Sequence, residues 1–351
     1  MKAVVLYCNS LGSEIKNPQS GGNMRKTFKR LTTILLVMMM STTVIACGKE
    51  DSPASVRVGS LKGPTSIGLV ELMERAENSE TSNDYSFTME TAADTLLAMM
   101  VQEELDIALV PANVASVLYN KTEGKVVVVD INTLGVLYMV SGDTAITDIG
   151  ELKGKTIYLT GKGTTPDYVL QYVLEENGLT KDDVTLEYKS EATEVAAVLS
   201  ADESAIGLLP QPFVTATMVK NENLSILFDM NTEWNKLQGE EGSKMVTGVT
   251  VVRKEFLEEN EGAVKLFLKD HKESCEYVNS NVEAAAGLVV KTGIIEKEPI
   301  AVKAIPNCNV TYIDGEEMKN ALSGYLNVLY EKDAKAVGGK LPQDDFYYLS
   351  K

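Results

Sequence analysis

Histidine and tryptophan are nearly missing from this sequence: 351 residues hold one of each, His271 and Trp234. One histidine cannot build an imidazole-rich zinc centre, and the four cysteines include no C-x-x-C pair. No metal and no cofactor is expected. The motifs of common catalysts are also absent, with no G-x-S-x-G nucleophile elbow and no Gly-Lys-Ser/Thr phosphate loop. Gly161-x-Gly163 lacks the third glycine of a dinucleotide fingerprint, and Pro166 stands at the helix entry. His271 lies in the charged run Lys269-Asp270-His271-Lys272-Glu273 and is expected on a solvated surface. The adjacent carboxylates Glu240-Glu241 are expected to point apart into solvent. Basic residues are the minority, 33 Lys/Arg against 50 Asp/Glu for a net charge of −17. So acidic a chain disfavours nucleic acid and adsorption to anionic lipid. A helix N-terminus can still hold an anion locally. These absences point away from an enzyme.

What is present begins with a leader. Met24-Arg25-Lys26-Thr27-Phe28-Lys29-Arg30 is basic, residues 31–44 are mostly apolar, and Val44-Ile45-Ala46-Cys47 is followed by polar Gly48-Lys49-Glu50. That pattern reads as a secretory signal ending in a lipidated cysteine, Cys47. The apolar run is short and interrupted for a membrane span. Because signal peptides start with their charged region, Met24 is expected as the true start, with residues 1–46 removed and 47–54 left as a tether. Cys275 and Cys308 then remain in an exported chain, as a disulfide or as two separate buried thiols.

From residue 55 strands and helices alternate. Strands are expected at 56–60, 85–89, 106–110, 125–130 (prolonged through 140), 156–160, 184–188, 205–209, 224–228 and 244–252. Helical patterns follow most of them. This rhythm means βαβ units and mainly parallel sheets. The two longest apolar runs, near 135–140 and 244–252, flank one block of strands and suggest two crossings between two lobes. Lobe 1 is expected at 55–133 together with 253–351, and lobe 2 at 134–252. The tail is helical apart from a short strand at 310–313.

The most informative stretch is Gly161-Lys162-Gly163-Thr164-Thr165-Pro166-Asp167. A strand precedes it and a helix follows, with Thr165 as the expected N-cap, Pro166 first in the helix and Asp167 in its first turn. Free N–H groups, two threonine hydroxyls and the Lys162 ammonium can converge there on an anionic or strongly polar group. A capped connection without a ligand is the plainer reading. Trp234 can stack on a planar ligand or pack in the core.

With the signal, the two lobes and the helical tail, six segments resemble the substrate-binding lipoproteins of ABC importers. They are Ser60-Leu61-Lys62-Gly63-Pro64-Thr65, Val110-Pro111-Ala112-Asn113, 132–135, 161–166, Leu209-Pro210-Gln211-Pro212-Phe213 and 338–342. The narrower likeness is to the sulfonate, nitrate, taurine, thiamine-pyrimidine and riboflavin binding proteins. It implies an α/β, two-lobe periplasmic-binding-protein fold of type II with a ligand cleft between the lobes. It also implies an ABC permease as partner, and a monomer lipid-anchored on the extracytoplasmic side of the membrane. Ligand contacts are then expected from Ser60, Gly63, Thr65, Pro111, Asn113, Gly163, Thr164, Thr165, Ser190, Gln211 and Trp234. Beyond the leader the only arginines are Arg57, Arg75 and Arg253. None matches a sulfonate-site arginine, which points toward a neutral or weakly anionic solute, a planar one included. Two alternatives stay open, a diverged enzyme on the same fold such as a pyrimidine-precursor synthase, and a ligand-sensing lipoprotein.

Overall fold

Runs of β-branched residues become strands, and the amphipathic segments between them become helices. The computed structural model describes residues 52–239 and 242–349. The leader, Met24, Cys47 and the Glu240-Glu241 pair lie outside the described residues.

The chain opens with β1 (Ser55–Leu61), α1 (Pro64–Ile67), α2 (Val70–Glu77), β2 (Asp84–Glu90), α3 (Ala93–Val101), β3 (Ile107–Pro111), α4 (Ala112–Lys121) and β4 (Val126–Leu134). A second block holds β5 (Leu137–Ser141), β6 (Thr156–Thr160), α5 (Thr165–Glu176), β7 (Thr185–Lys189), α6 (Ala192–Ala201), β8 (Ile206–Pro210), α7 (Phe213–Lys220), β9 (Ser225–Asp229) and α8 (Met230–Gln238). The chain then runs through β10 (Val246–Arg253), α9 (Lys254–Glu259), α10 (Glu261–Ser280), α11 (Val282–Lys291), α12 (Glu298–Ala304), β11 (Val310–Ile313) and α13 (Gly315–Lys332).

Two sheets result, flanked by helices. The first has six strands in the order β11-β4-β10-β3-β1-β2, and the second five, β7-β6-β8-β5-β9. We call the halves built on them lobe 1 and lobe 2. The expected α/β two-lobe architecture is the one observed. In the first sheet β10 and β11 run against the other strands, and in the second β5 does. Both β5 and β10 are strands by which the chain enters a sheet.

The long run through residue 140 is two strands. β4 ends in the first sheet, Gly135-Val136 makes the passage, and β5 begins in the second. Gly135 is needed there because a Cβ would lie 2.8 Å from both Asn231 Cβ and Met245 Sδ. The return passage corrects the expected boundary at 253. β10 pairs with β3 and β4 along its length, from Val246 opposite Leu134 to Arg253 opposite Val126. The chain is therefore back in lobe 1 by Val246, since this apolar strand is buried on both faces between two neighbours.

His271 is also corrected. It is fully buried, not solvated. Ala263, Val264, Phe267, His271, Ser274, Cys275 and Val278 form the buried stripe of α10, while Lys269, Lys272 and Glu273 are exposed and the buried Asp270 pairs with Arg75 and Tyr85. Cys275 and Cys308 are both buried and unpaired with each other, and burial pushes the Cys308 thiol up to about 12.

Candidate functional site

Open α/β sheets present ligands to the turns beyond the carboxyl ends of their strands. In lobe 1 the turn after β1 is tied down by its own hydroxyls. Thr65 Oγ1 donates to the Leu61 carbonyl at 2.9 Å, and the buried Ser66 hydroxyl lies 2.9 Å from Ser60 Oγ and 2.7 Å from the same carbonyl. Gly63 has a φ of 143°, a region closed to most side chains. The Thr65 methyl packs on Gly248, where a Cβ would come within 2.5 Å of Asn132 Oδ1. Gly248→Val should therefore cost about 1–3 kcal/mol through overpacking, read as a lower denaturant midpoint, because neither α1 nor β4 can yield without moving the other.

After β3, Pro111 and Asn113 are half-buried, and Asn113 Nδ2 reaches the Ala336 carbonyl at 3.4 Å. That turn faces the segment behind α13.

The glycine turn of lobe 2 differs from its expected form. Thr164 takes the N-cap position and Thr165 is the first helical residue. Gly163 N–H donates to Asp167 Oδ2 at 2.7 Å, and the Thr164 hydroxyl to the Gly161 carbonyl at 2.6 Å. The other Asp167 oxygen accepts from Gln171 Nε2 at 2.6 Å and the Tyr188 hydroxyl at 2.8 Å. The buried Asp167 carboxylate thus occupies one donor expected for a ligand, the Gly163 N–H, because a residue in the first helical turn can fold back on the N-terminus. Lys162 lies over the Tyr188 ring, 5.3 Å from its centroid. Thr165 abuts the buried Tyr325 hydroxyl. Ser190 is exposed, and its N–H donates to Glu194 Oε2 at 2.9 Å.

Gln211 is placed differently. It is buried, its backbone N–H bonds the Val136 carbonyl at 3.0 Å, and its Oε1 accepts from the Thr215 hydroxyl at 2.9 Å. Its Nε2 finds no partner among the described residues, and neither does the buried Oδ1 of Asn231. Both residues border the Gly135-Val136 passage. One is a donor and the other an acceptor, and such buried groups are rare when nothing pairs with them. Sequence reasoning missed Asn231, for which nothing local signals a role. Trp234, by contrast, has no exposed surface. Its indole N–H reaches Ser243, and its ring lies between Tyr172 and Tyr325. It packs in the core, the second of its two expected roles.

Two grooves open between the lobes. One, about 540 Å³, brings Lys62 from the first turn against Thr193, Pro212, Phe213 and Lys220 of lobe 2, with Ile294–Glu296 nearby. The other, about 390 Å³, joins Gln211 and Thr215 to Lys303 and Asn307. A larger groove of about 830 Å³ lies at the opposite end of lobe 1, where β4 starts and β10 ends. None of the turns reaches it, so the inter-lobe grooves are the candidate site. Their walls mix apolar side chains with hydroxyls, the cations Lys62, Lys220 and Lys303, and the carboxylates Glu222 and Glu296.

The two-lobed α/β fold is one that solved structures of binding proteins share. An ABC transporter protein from Parabacteroides distasonis is 25% identical, with 85% of this chain and 99% of that one covered and a TM-score of 0.71. The periplasmic aliphatic sulphonate binding protein SsuA of Escherichia coli is 17% identical over 86% of this chain and 94% of its own, with a TM-score of 0.67. The periplasmic nitrate-binding protein NrtA of Synechocystis is 13% identical over 76% and 74%, with a TM-score of 0.52. The expected kinship with ABC-importer binding proteins thus holds for the fold. The chain belongs to the menaquinone biosynthesis family, whose model matches residues 63–331. No curated protein matches it.

Proposed function

We propose that this protein captures a small organic solute between its lobes and hands it to an ABC importer. In this reading it is held on the extracytoplasmic face of the membrane by a lipid on Cys47, and it is not an enzyme. The observation that carries the reading is the unpaired donor and acceptor at the passage between lobes, Gln211 Nε2 of the smaller groove and Asn231 Oδ1 against Gly135. Burying such groups is costly unless something pairs with them. A ligand that reaches both would recover that cost and would draw the lobes together around the passage. Lys62 and Lys220 in the wider groove suit a weakly anionic group at one end of an otherwise apolar molecule.

Native mass spectrometry of protein purified from its producing cell identifies what is bound, and calorimetry then measures it. Gln211→Leu is expected to weaken binding by about 1–3 kcal/mol, roughly five- to a hundred-and-fiftyfold, with the circular dichroism spectrum unchanged. Equal affinity in the variant would remove Gln211 from the site.

The family match favours a second reading, an enzyme acting on an intermediate of menaquinone biosynthesis. Incubating the recovered ligand with fresh protein separates the two. A carrier returns it at the same mass, whereas an enzyme converts it.

A further inference from the structure

The smaller inter-lobe groove follows one face of α7. Gln211, Val214, Thr215, Met218, Val219 and Glu222 line it at helical spacing. Leu224 and Ile226 at the start of β9 line it too, with Lys303 and Asn307 from the end of α12.

Tyr138 on β5 fixes where the lobe 1 residues sit. It lies opposite Leu209 of β8, close before Gln211, and its hydroxyl donates to the Asn307 carbonyl at 2.8 Å. Asn307 Nδ2 in turn donates to the Lys303 carbonyl at 3.1 Å. Lys303 and Asn307 are thereby brought to the Gln211 end of the groove. Glu222 stands at the other end, about 15 Å away at the rise of a helix. Lys303 has no ion-pair partner among the described residues.

Two observations point to a ligand here. Gln211 is buried, and Thr215 fixes which way its amide faces. The Thr215 backbone N–H, which can only donate, lies 3.4 Å from Gln211 Oε1, and the Thr215 hydroxyl lies 2.9 Å from it. Nε2 is the atom left over, a buried donor without a partner among the described residues. The second observation is apolar exposure. Of the six large apolar side chains exposed among the described residues, Val219 and Ile226 line this groove and Phe213 its neighbour. Exposed apolar side chains gathered in one recess mark a binding surface.

We propose that the solute is an alkyl monocarboxylate, held in the smaller groove with its carboxylate at Gln211 Nε2 and the Lys303 ammonium and its chain laid along Met218, Val219 and Ile226. Amide N–H and ammonium are both donors, and a carboxylate meets them with acceptors alone. Glu222 disfavours the reverse orientation by like-charge repulsion. The lining holds no aromatic ring to stack on a planar ligand, and its apolar residues follow one another along the helix, so a narrow chain suits it better than a ring. The wider groove offers Lys62 and Lys220, but no buried unpaired donor beside them, and Glu296 lines it as well.

The inference rests on the cleft reading in that Gln211 is taken to face a ligand. Its probes are octanoate and related compounds, added to the dialysed, intact protein and followed by calorimetry. One octanoate is expected to bind per chain. From hexanoate to decanoate the affinity should rise about fourfold with each methylene buried. Neutral octanamide should bind at least about tenfold more weakly than octanoate. Lys303→Gln should remove that preference for the acid and leave octanamide binding as it was. Val219→Asp, at an exposed position, should abolish the dependence on chain length, with Trp234 fluorescence unchanged as the control for the fold. No binding of octanoate, an affinity indifferent to chain length, or octanamide bound as tightly as octanoate would overturn the proposal. Those outcomes leave the cleft reading standing if Gln211→Leu still weakens the solute recovered from the cell. If that substitution spares the recovered solute while octanoate binds as described, the cleft reading falls and the groove remains a site for alkyl carboxylates.

Discussion

Replacing Trp234 by alanine is expected to destabilise the protein by about 3–5 kcal/mol. The side chain is fully buried, with ring centroids 4.6 Å from Tyr172 and 5.4 Å from Tyr325. Those partners stand on α5 and α13, so one indole on α8 joins three helices. Its N–H lies 3.1 Å from the Ser243 carbonyl and 3.2 Å from the Ser243 hydroxyl. Alanine would open a cavity against two aromatic rings and leave the Ser243 backbone with one donor fewer. Denaturant unfolding measures the loss. Trp234→Phe, which fills most of the volume without the N–H, should fall between the two. Because this is the only tryptophan, its fluorescence should be that of a buried indole and should shift red in step with global unfolding. A loss under about 1 kcal/mol for alanine would mean that the three helices meet without it.

The second large effect is electrostatic. Asp106 is buried and accepts from the Arg57 backbone N–H at 3.0 Å, from Arg57 Nε at 2.9 Å and Nη2 at 2.6 Å, and from Arg253 Nη2 at 3.0 Å. Asp106→Ala takes the carboxylate from Arg57, while Arg253 keeps the Leu105 carbonyl and Glu255, and should cost about 3 kcal/mol, the lower end for a broken buried pair. It belongs at that end because Arg57 keeps 42% of its side-chain surface in water. Burial pushes the carboxyl up, but hydrogen bonds from Arg57 and Arg253 more than compensate and hold it below the usual carboxylate range. A depressed acid contributes stability above its unfolded value, near 3.9, and loses it as pH falls through the folded value. The gap between wild type and Asp106→Ala should therefore be constant near neutrality and shrink in acid. Midpoints that stay equally far apart at about pH 2.5 and pH 7 would falsify the ion-pair account.

Much of this fold was legible because its signals are local. Alternating β-branched runs and capped amphipathic segments located nearly every strand and helix, and the α/β class followed. What stayed hidden is non-local. Val246–Arg253 reads as a buried strand, yet nothing in it says which sheet receives it, and so the lobe boundary was drawn late. α8 was missed because Asp229, which caps it by accepting from the Asn231 and Thr232 N–H groups, reads equally well as a turn residue. His271 was misjudged by weighing its charged neighbours above its helical period. At the site, the glycines and hydroxyls of 161–167 were plain, but not that Asp167 bends back onto Gly163. Gln211 was visible as a polar residue between prolines. Asn231 became interesting only through its crowding against Gly135.

The strand order also bears on how such a chain is made. Lobe 2 is one continuous stretch, its strands all lying between residues 137 and 229. Lobe 1 lacks β10 until residue 253, and β10 is the strand that separates and joins β3 and β4. During synthesis lobe 2 can close on itself while β4 waits, unpaired with β3, for a segment more than a hundred residues downstream. Long-range pairing of this kind is slow. The half that holds α1 and the buried His271 is thus the last to form, and it stays open through most of the time the chain is emerging.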